Sequence, residues 1–156
     1  MLTIRAMHPE DRALFLQLAQ EMYNSPAVLH PIPAEHHVRT FEALFTLDAY
    51  VTGFLLEWDG TCAGYSIITR GYSTEAGGLV LWVEDVYIRP AFRSKGIGRA
   101  FFAFLEKTYP NMFRFRLEVE EKNQRAIALY KTLGFESLPY MQMVKDQNPQ
   151  PGKNLH

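Results

Sequence analysis

The chain has 156 residues, and its hydrophobic fraction of 47% and charged fraction of 21% are those of an ordinary globular protein. A formal net charge of −1 excludes a broad positive field, so we predict no nucleic-acid or membrane partner. The only cysteine, Cys62, excludes an internal disulfide and a cysteine-rich zinc site. No run approaches the roughly 18 apolar residues of a membrane span, and the N-terminus lacks an apolar leader core. We therefore expect a cytoplasmic protein.

The first part of the chain predicts a short strand and two helices. Residues 2–6 alternate between apolar and polar, as in a strand, and helical spacing of apolar residues follows until about Asn24. Residues 26–33 contain three prolines together with Val28, Leu29 and Ile32. Proline excludes regular structure there, and the apolar residues indicate the wall of a pocket. A second helix is predicted over about 34–45.

The middle of the chain predicts three strands. The runs 50–58 and 62–70 flank Asp59-Gly60, the dipeptide that most favours a tight hairpin turn. The run 79–88 is apolar on both sides, which is typical of an interior strand. A glycine-containing loop follows it, and an amphipathic helix is then predicted to end before Pro110.

The last part predicts strands on either side of one further helix. Residues 113–119 alternate between apolar and charged side chains, and Asn123 begins a helix that ends at Gly134. A strand pair is predicted over 135–138 and 140–144. We expect residues 1–146 to form a single domain and 147–156, which are polar and proline-bearing, to form a flexible tail.

The loop between Ile88 and the following helix has the composition of a phosphate-binding site. Unpaired N–H groups at a helix N-terminus, together with the helix dipole, attract anions. Gly96 and Gly98 let the main chain approach a bulky ligand, and cationic side chains surround them. These cations are Arg93, Lys95 and Arg99. The sequence therefore predicts a pyrophosphate site at this junction.

Two spaced motifs carry a resemblance to a known family. Arg93-x-x-Gly96-x-Gly98, after a strand ending Glu84-Asp-Val-Tyr-Ile88, resembles the acyl-CoA-binding signature of the GNAT N-acetyltransferase superfamily. Asn123-x-x-Ala126-x-x-Leu129-Tyr130-x-x-x-Gly134-Phe135 is similar to the second half of that signature. The resemblance covers residues 60–140 well and the first 60 in outline.

The resemblance implies an α/β fold of the GNAT type, with a mixed, mostly antiparallel sheet of six or seven strands flanked by about four helices, two on each side. It also implies acetyl-CoA as co-substrate, bound where the strand ending at Ile88 parts from the strand that starts near Phe113. Main-chain groups of residues 86–88 would pair with its pantetheine arm. The residues implied to bind it are Val86, Tyr87, Ile88, Arg93, Ser94, Lys95, Gly96, Ile97, Gly98, Arg99, Asn123 and Tyr130. Asn123 is also expected to cap its helix.

Glu84 and Tyr130 are the candidate catalytic residues. Strand alternation would place Glu84 and Asp85 on opposite faces among apolar neighbours, where burial raises a carboxyl pKa towards the range of a general base. Similar proteins that resemble spermidine acetyltransferases carry such a Glu-Asp pair, with the glutamate proposed to handle the amine proton. Either carboxylate could instead have a structural role, in which it accepts hydrogen bonds from backbone donors or pairs with an arginine. Tyr130 could likewise be a core residue, because it belongs to an apolar stripe along its helix. In the family, a tyrosine at this place lies near the thioester sulfur.

These observations predict an N-acetyltransferase that moves acetyl directly from acetyl-CoA to a primary amine of a small molecule or peptide. The alternative is a non-catalytic acyl-CoA-sensing module of the same fold. A Rossmann-type nucleotide binder is a third reading, weakened because no Gly-x-Gly-x-x-Gly follows the first strand. The histidines lack ligand spacing, so we predict no metal. The acceptor stays open, and a homodimer is a further possibility.

Overall fold

A five-stranded mixed sheet lies at the centre of the computed structural model, which describes residues 1–147 and 149. The strands follow chain order across the sheet, and each pair is antiparallel except the last, which is parallel. The elements are β1 (Leu2–Ala6), α1 (Arg12–Tyr23), α2 (Ala34–Thr46), β2 (Val51–Trp58), β3 (Thr61–Ser73), β4 (Gly78–Ile88), α3 (Ile97–Thr108), β5 (Arg114–Leu117) and α4 (Gln124–Thr132). The predicted α/β class, the mixed sheet and the four helices are confirmed.

The predicted hairpin is the turn between β2 and β3. Asp59 and Gly60 adopt φ values of 50° and 80°, the left-handed conformation that a two-residue hairpin turn requires at both central positions. Trp58 and Thr61 pair directly across it. The Asp-Gly dipeptide therefore determines where β2 ends.

The helices cover both faces of the sheet. On one face, α1 and α2 bury a cluster that includes Phe15, Leu18 and Phe41 against Tyr65 of β3. On the other face, α3 buries Phe101 and Leu105, and Tyr130 of α4 packs against that cluster with Leu133, the residue that follows the helix. Among the described residues, no helix combines the length and the hydropathy needed to cross a bilayer.

The predicted number of strands is wrong. Residues 135–147 form no strand in the described part of the chain, so the sheet has five strands instead of six or seven. The alternating apolar pattern there predicted extended chain, but a strand also needs a partner with which to exchange backbone hydrogen bonds. Of the predicted tail, residues 148 and 150–156 lie outside the described residues.

The predicted alternation along β4 is also wrong, because the strand contains a β-bulge. Ile68 pairs with Val83 and Ile67 pairs with Asp85, so Glu84 is the extra residue. Val83, which packs against α3, and Asp85, which hydrogen-bonds to Tyr65 beneath α1, consequently lie on opposite faces. Strict alternation would have placed them on the same face.

Candidate active site

A groove opens where β4 and β5 part. The two strands pair only from Val80 with Arg114 to Val83 with Leu117, and β4 then continues to Ile88 paired with β3 but not with β5. The cavity there has a volume of about 740 Å³. Its position is the one predicted for the pantetheine arm, beside main-chain groups that β5 does not reach.

The groove brings together nearly all the residues predicted to bind the co-substrate. Those that line it are Val86, Tyr87, Ile88, Arg93, Ser94, Gly96, Ile97, Gly98, Arg99, Asn123 and Tyr130. Lys95 does not line it, and its Nζ lies 5.5 Å from the centre of the Trp58 ring instead. The binding roles of all these residues stay predictions.

The N-termini of two helices, α3 and α4, lie at this groove. Gly96, at φ 77°, is the N-cap of α3, and its left-handed conformation suits a residue without a Cβ atom. Asn123 caps α4 by accepting a hydrogen bond from the Ala126 N–H at 3.2 Å. Because residues of both first turns line the groove, two positive helix ends favour an anion there.

Three guanidinium groups add positive charge around the same loop. Arg93 donates to the Ile88 carbonyl at 3.2 Å, and Arg99 donates to Thr132 Oγ1 at 2.9 Å. Arg125 donates to Ser94 Oγ at 2.7 Å and so joins α4 to the loop. These contacts hold the cations at the groove before any ligand binds.

Sequence reasoning did not single out several residues of the groove. Arg125 is the clearest case, and its position two residues after the helix-capping Asn123 was a usable signal, since first-turn residues surround the N-terminus. The others are Ser25, Phe92, Glu120 and Lys122. Ala126 and Leu129 of the second motif also line the groove, as do Pro26 and Ala27 of the proline-rich segment. The apolar residues that indicated a pocket wall in that segment do not line it, namely Val28, Leu29 and Ile32.

Tyr130 has a packed ring and a free hydroxyl. Its ring lies edge-on to Phe102 and Phe135, with centroid distances of 5.6 Å and 5.8 Å. Burial raises the pKa of the Tyr130 phenol, so it keeps its proton at neutral pH. Among the described residues the hydroxyl makes no protein hydrogen bond, which leaves it able to donate to a ligand in the groove.

The two candidate carboxylates differ in their surroundings. Glu84 reaches solvent and accepts a hydrogen bond from Thr69 Oγ1 at 2.9 Å, and the groove described above does not include it. The surrounding protein nevertheless removes part of its hydration, and this desolvation raises the pKa of Glu84. A carboxylate with a raised pKa and access to solvent can accept a proton from an arriving amine.

Asp85 belongs to a buried hydrogen-bond network. Its two carboxylate oxygens accept hydrogen bonds from Tyr23 at 3.0 Å and from Tyr65 at 3.1 Å, and burial raises its pKa. The His37 ring packs at 5.0 Å from the Tyr23 ring, and burial lowers the pKa of His37. Glu84 is therefore more accessible than Asp85 to a proton donor that arrives from solvent.

Comparison with known families gives a match over most of the chain. The model of the acetyltransferase (GNAT) family matches residues 15–135. The chain is also similar to thialysine N-epsilon-acetyltransferases. It is 35% identical to the Sus scrofa protein over 85 residues, which is 53% of this chain and 49% of that one. The matched region thus spans about half the length of this relative.

Solved structures show the same fold. A predicted acetyltransferase from Clostridium acetobutylicum, solved with acetyl-CoA, is similar with a TM-score of 0.75 at 15% identity, covering 93% of this chain and 96% of that one. An aminoglycoside N-acetyltransferase, AAC(6')-Iy, solved with CoA, gives a TM-score of 0.74 at 17% identity, covering 95% and 96% of the two chains.

Proposed function

The chain belongs to the GNAT acetyltransferase family, and from this we propose that it transfers the acetyl group of acetyl-CoA directly to a primary amine of a small molecule or peptide. The observation that carries the proposal is the groove beside β4, which is lined by two helix N-termini, by Arg93, Arg99 and Arg125, and by Tyr130. An anion-binding loop and a proton donor on one groove are what a CoA thioester needs.

The cationic loop would hold the CoA pyrophosphate. The N–H groups of the first turn of α3 and the Arg125 N–H of α4 are the donors, and Arg93, Arg99 and Arg125 supply the countercharge. The main chain of residues 86–88 would pair with the amide groups of the pantetheine arm, as an added strand pairs with an open sheet edge. The thioester would then lie towards Tyr130.

Glu84 would act on the acceptor amine. An alkyl amine with a pKa near ~10.4 is almost entirely protonated at pH 7, and freeing its lone pair costs about 4.6 kcal/mol. Glu84, directly or through an ordered water, takes this proton before nitrogen attacks the thioester carbonyl. Its raised pKa brings the carboxylate closer in basicity to the amine than an ordinary glutamate.

Tyr130 would act on the leaving group. When the tetrahedral intermediate collapses, the C–S bond breaks and the thiolate leaves with the electron pair. A thiol pKa of the order of 8.5 means that the thiolate gains from a hydrogen bond or a proton at neutral pH. The Tyr130 phenol, kept protonated by burial, can supply either.

The relatives narrow the class of acceptor that we propose. Thialysine N-epsilon-acetyltransferases and an aminoglycoside N-acetyltransferase are named for acceptors that carry amines. We propose a small amine of this kind, handled by one catalytic domain over residues 1–146. The single cysteine and the use of acetyl-CoA both suit the cytoplasm as its location.

A screen of amine acceptors with acetyl-CoA, read as release of free CoA thiol, tests the proposal. Amine-dependent thiol release is expected, and it should disappear when the amine is omitted. Calorimetric titration with acetyl-CoA, NAD and ATP should show binding of acetyl-CoA alone. Tight acetyl-CoA binding without turnover on any amine would favour the sensing module instead.

A further inference from the structure

Four side chains form a row across the sheet, from Glu84 to Arg116. Trp82 of β4 pairs with Thr69 of β3 on one side and with Arg116 of β5 on the other. Thr69 donates its hydrogen bond to Glu84 over 2.9 Å, and the Arg116 Cζ lies 4.2 Å from the centre of the Trp82 ring. The four side chains therefore lie on the same face of the sheet.

This row lies on the face of the sheet that carries α1 and α2. Phe115 and Leu117, the two neighbours of Arg116, pack into the cluster beneath α3. Alternation along β5 therefore turns Arg116 to the opposite face. The side chains of the row are half-buried there, except for Glu84, which is exposed. A small molecule from solvent can consequently reach them.

Arg116 has no partner for its charge within the part of the chain that the structure describes. It forms no ion pair there, and the Trp82 ring contacts only the face of the guanidinium group. Arg114, two residues earlier on the same face of β5, is in contrast paired with Glu75 at 3.0 Å. The N–H groups along the edge of the Arg116 guanidinium are therefore available to an anion that arrives from outside.

The opposite end of the row is negative. Glu84 carries a carboxylate there, and the charge of Glu118 contributes to raising the pKa of Glu84, so a second carboxylate lies near it. The rise of a strand separates Glu84 from the guanidinium above Trp82 by roughly 7 Å along β4. The row thus has a negative end and a positive end, separated by about the length of a short carbon chain.

A second groove connects Arg116 with Tyr130. It has a volume of about 850 Å³, and Arg116, Glu118 and Tyr130 are among the residues that line it. Tyr130 also lines the groove beside β4. Glu106 and Lys131 line the second groove as well, but they belong to α3 and α4 and so lie on the other side of β5. A molecule bound at Arg116 can therefore extend to the side chain that both grooves share.

We propose that Arg116 binds a carboxylate of the acceptor and so selects amines that carry a carboxylate several carbons away from the nitrogen. The inference rests on the proposed acetyl transfer and names the class of its acceptor. The amine would lie at Glu84, and the carboxylate would accept hydrogen bonds from the edge of the guanidinium, whose planar fork matches it.

The same row disfavours two other classes of acceptor. A diamine would bring its second positive charge against Arg116, and like charges repel. An amine with its carboxylate on the adjacent carbon would be too short to reach Glu84 and Arg116 together. The Trp82 ring, which contacts the face of the guanidinium, leaves only its edge for the ligand.

Three matched amines test the inference. They have carbon chains of the same length and differ at the far end, namely 5-aminopentanoate, 1,5-diaminopentane and n-pentylamine. In the wild type, kcat/KM should be at least about tenfold higher for 5-aminopentanoate than for the other two, since a hydrogen bond to a charged group is worth that much. R116M should lower the value for 5-aminopentanoate by the same factor and leave that for n-pentylamine unchanged. R116E should make the diamine the best of the three.

R114M is the matched control, because Arg114 lies on the same face of β5 and is already paired with Glu75. It should keep the wild-type preference. R116M should bind acetyl-CoA as the wild type does, since Arg116 does not line the groove beside β4. A wild type without a preference for 5-aminopentanoate, or an R116M that keeps the preference, overturns the inference.

The acceptor screen separates failure of this inference from failure of the proposed function. If the screen finds an amine substrate but the wild type uses none of the three matched amines, or uses them equally, the role of Arg116 is wrong and acetyl transfer stands. If no amine of any kind supports release of CoA thiol, the proposed function fails, and the role of Arg116 fails with it.

Discussion

Thr69 Oγ1 donates a hydrogen bond to Glu84 Oε1 over 2.9 Å, across the strand pair in which Glu84 is the bulged residue. This hydrogen bond favours the charged carboxylate and so lowers the pKa of Glu84. Desolvation acts in the opposite direction and is the larger effect, with the nearby charges of Asp85 and Glu118 adding to it. The pKa of Glu84 is consequently raised.

We predict that this pair controls the acidic limb of the pH-rate profile. A base works only when deprotonated, so the rate should fall as pH falls through the raised pKa of Glu84. E84Q should lower kcat at neutral pH by about 10²-fold or more and remove this limb. T69V should keep the acidic limb of the profile but move it to higher pH, because the substitution deletes the Thr69 hydrogen bond that lowers the pKa of Glu84. Profiles of kcat/KM would measure both effects.

T61V is the control for the second variant, since Thr61 begins the same strand and is exposed. Its profile should match that of the wild type. If E84Q kept the full acidic limb, Glu84 would have no part in proton transfer, and attention would move to bulk water or Asp85.

We predict that G98V weakens acetyl-CoA binding by at least about tenfold, since one lost phosphate contact is worth a kcal/mol or more. Gly98 lines the groove in the first turn of α3, and a Cβ atom there would lie 3.3 Å from Leu129 Cδ2. Because Gly98 and Leu129 both line the groove, the branched side chain and the displaced Leu129 would take up space within it. G71V is the control, because Gly71 is an exposed strand residue where a Cβ atom would meet only Val80 at 3.8 Å. Titration calorimetry on both folded variants checks this, and unchanged affinity in G98V would remove the loop from the binding site.

We predict that Y130F lowers kcat by about 10²-fold or more while acetyl-CoA affinity stays nearly constant. The ring contacts with Phe102 and Phe135 survive the change, and the hydroxyl has no protein partner among the described residues, so stability should shift little. Y109F deletes the same atom from a residue that packs on the same core at the far end of α3. Only Y130F should lose turnover. Wild-type turnover in Y130F would show that Tyr130 is a packing residue.

We predict that R5M makes the free energy of unfolding depend less on pH in the acidic range. Arg5 bonds both oxygens of the buried Asp11, at 2.8 Å and 3.0 Å, and holds the pKa of Asp11 below its ordinary range. Because the folded pKa is the lower one, the ion pair stabilises the protein above the unfolded pKa near ~3.9, and this contribution disappears as pH falls through the folded value.

R5M should therefore lower the free energy of unfolding by about 2 kcal/mol at neutral pH and by progressively less in acid. Urea unfolding at several pH values would measure this. R39M changes an exposed arginine of α2 and should follow the wild-type pH dependence. A constant difference between R5M and the wild type down to strongly acidic pH would contradict the assigned role of Asp11.

The sequence predicted the elements of this fold well wherever local chemistry determines the outcome. Asp59-Gly60 locates the hairpin, Asn123 the start of α4, and the glycine loop the junction between β4 and α3. These signals act within a few residues of the structure that they specify. The number of strands was missed because a strand needs a partner for its backbone hydrogen bonds, and in the described part of the chain residues 135–147 form no strand. The contact between Arg125 and Ser94 could not be predicted because it joins positions 31 residues apart, although the place of Arg125 in the first turn of α4 could have been.

The Glu84 bulge lets β4 carry one additional carboxylate without changing which face its neighbours occupy. Deletion of Glu84 would make Val83 and Asp85 adjacent, and plain alternation would keep them on opposite faces, Val83 towards α3 and Asp85 towards Tyr23 and Tyr65. A one-residue deletion at this position should therefore leave the packing of the strand intact and remove the carboxylate with its hydrogen bond to Thr69.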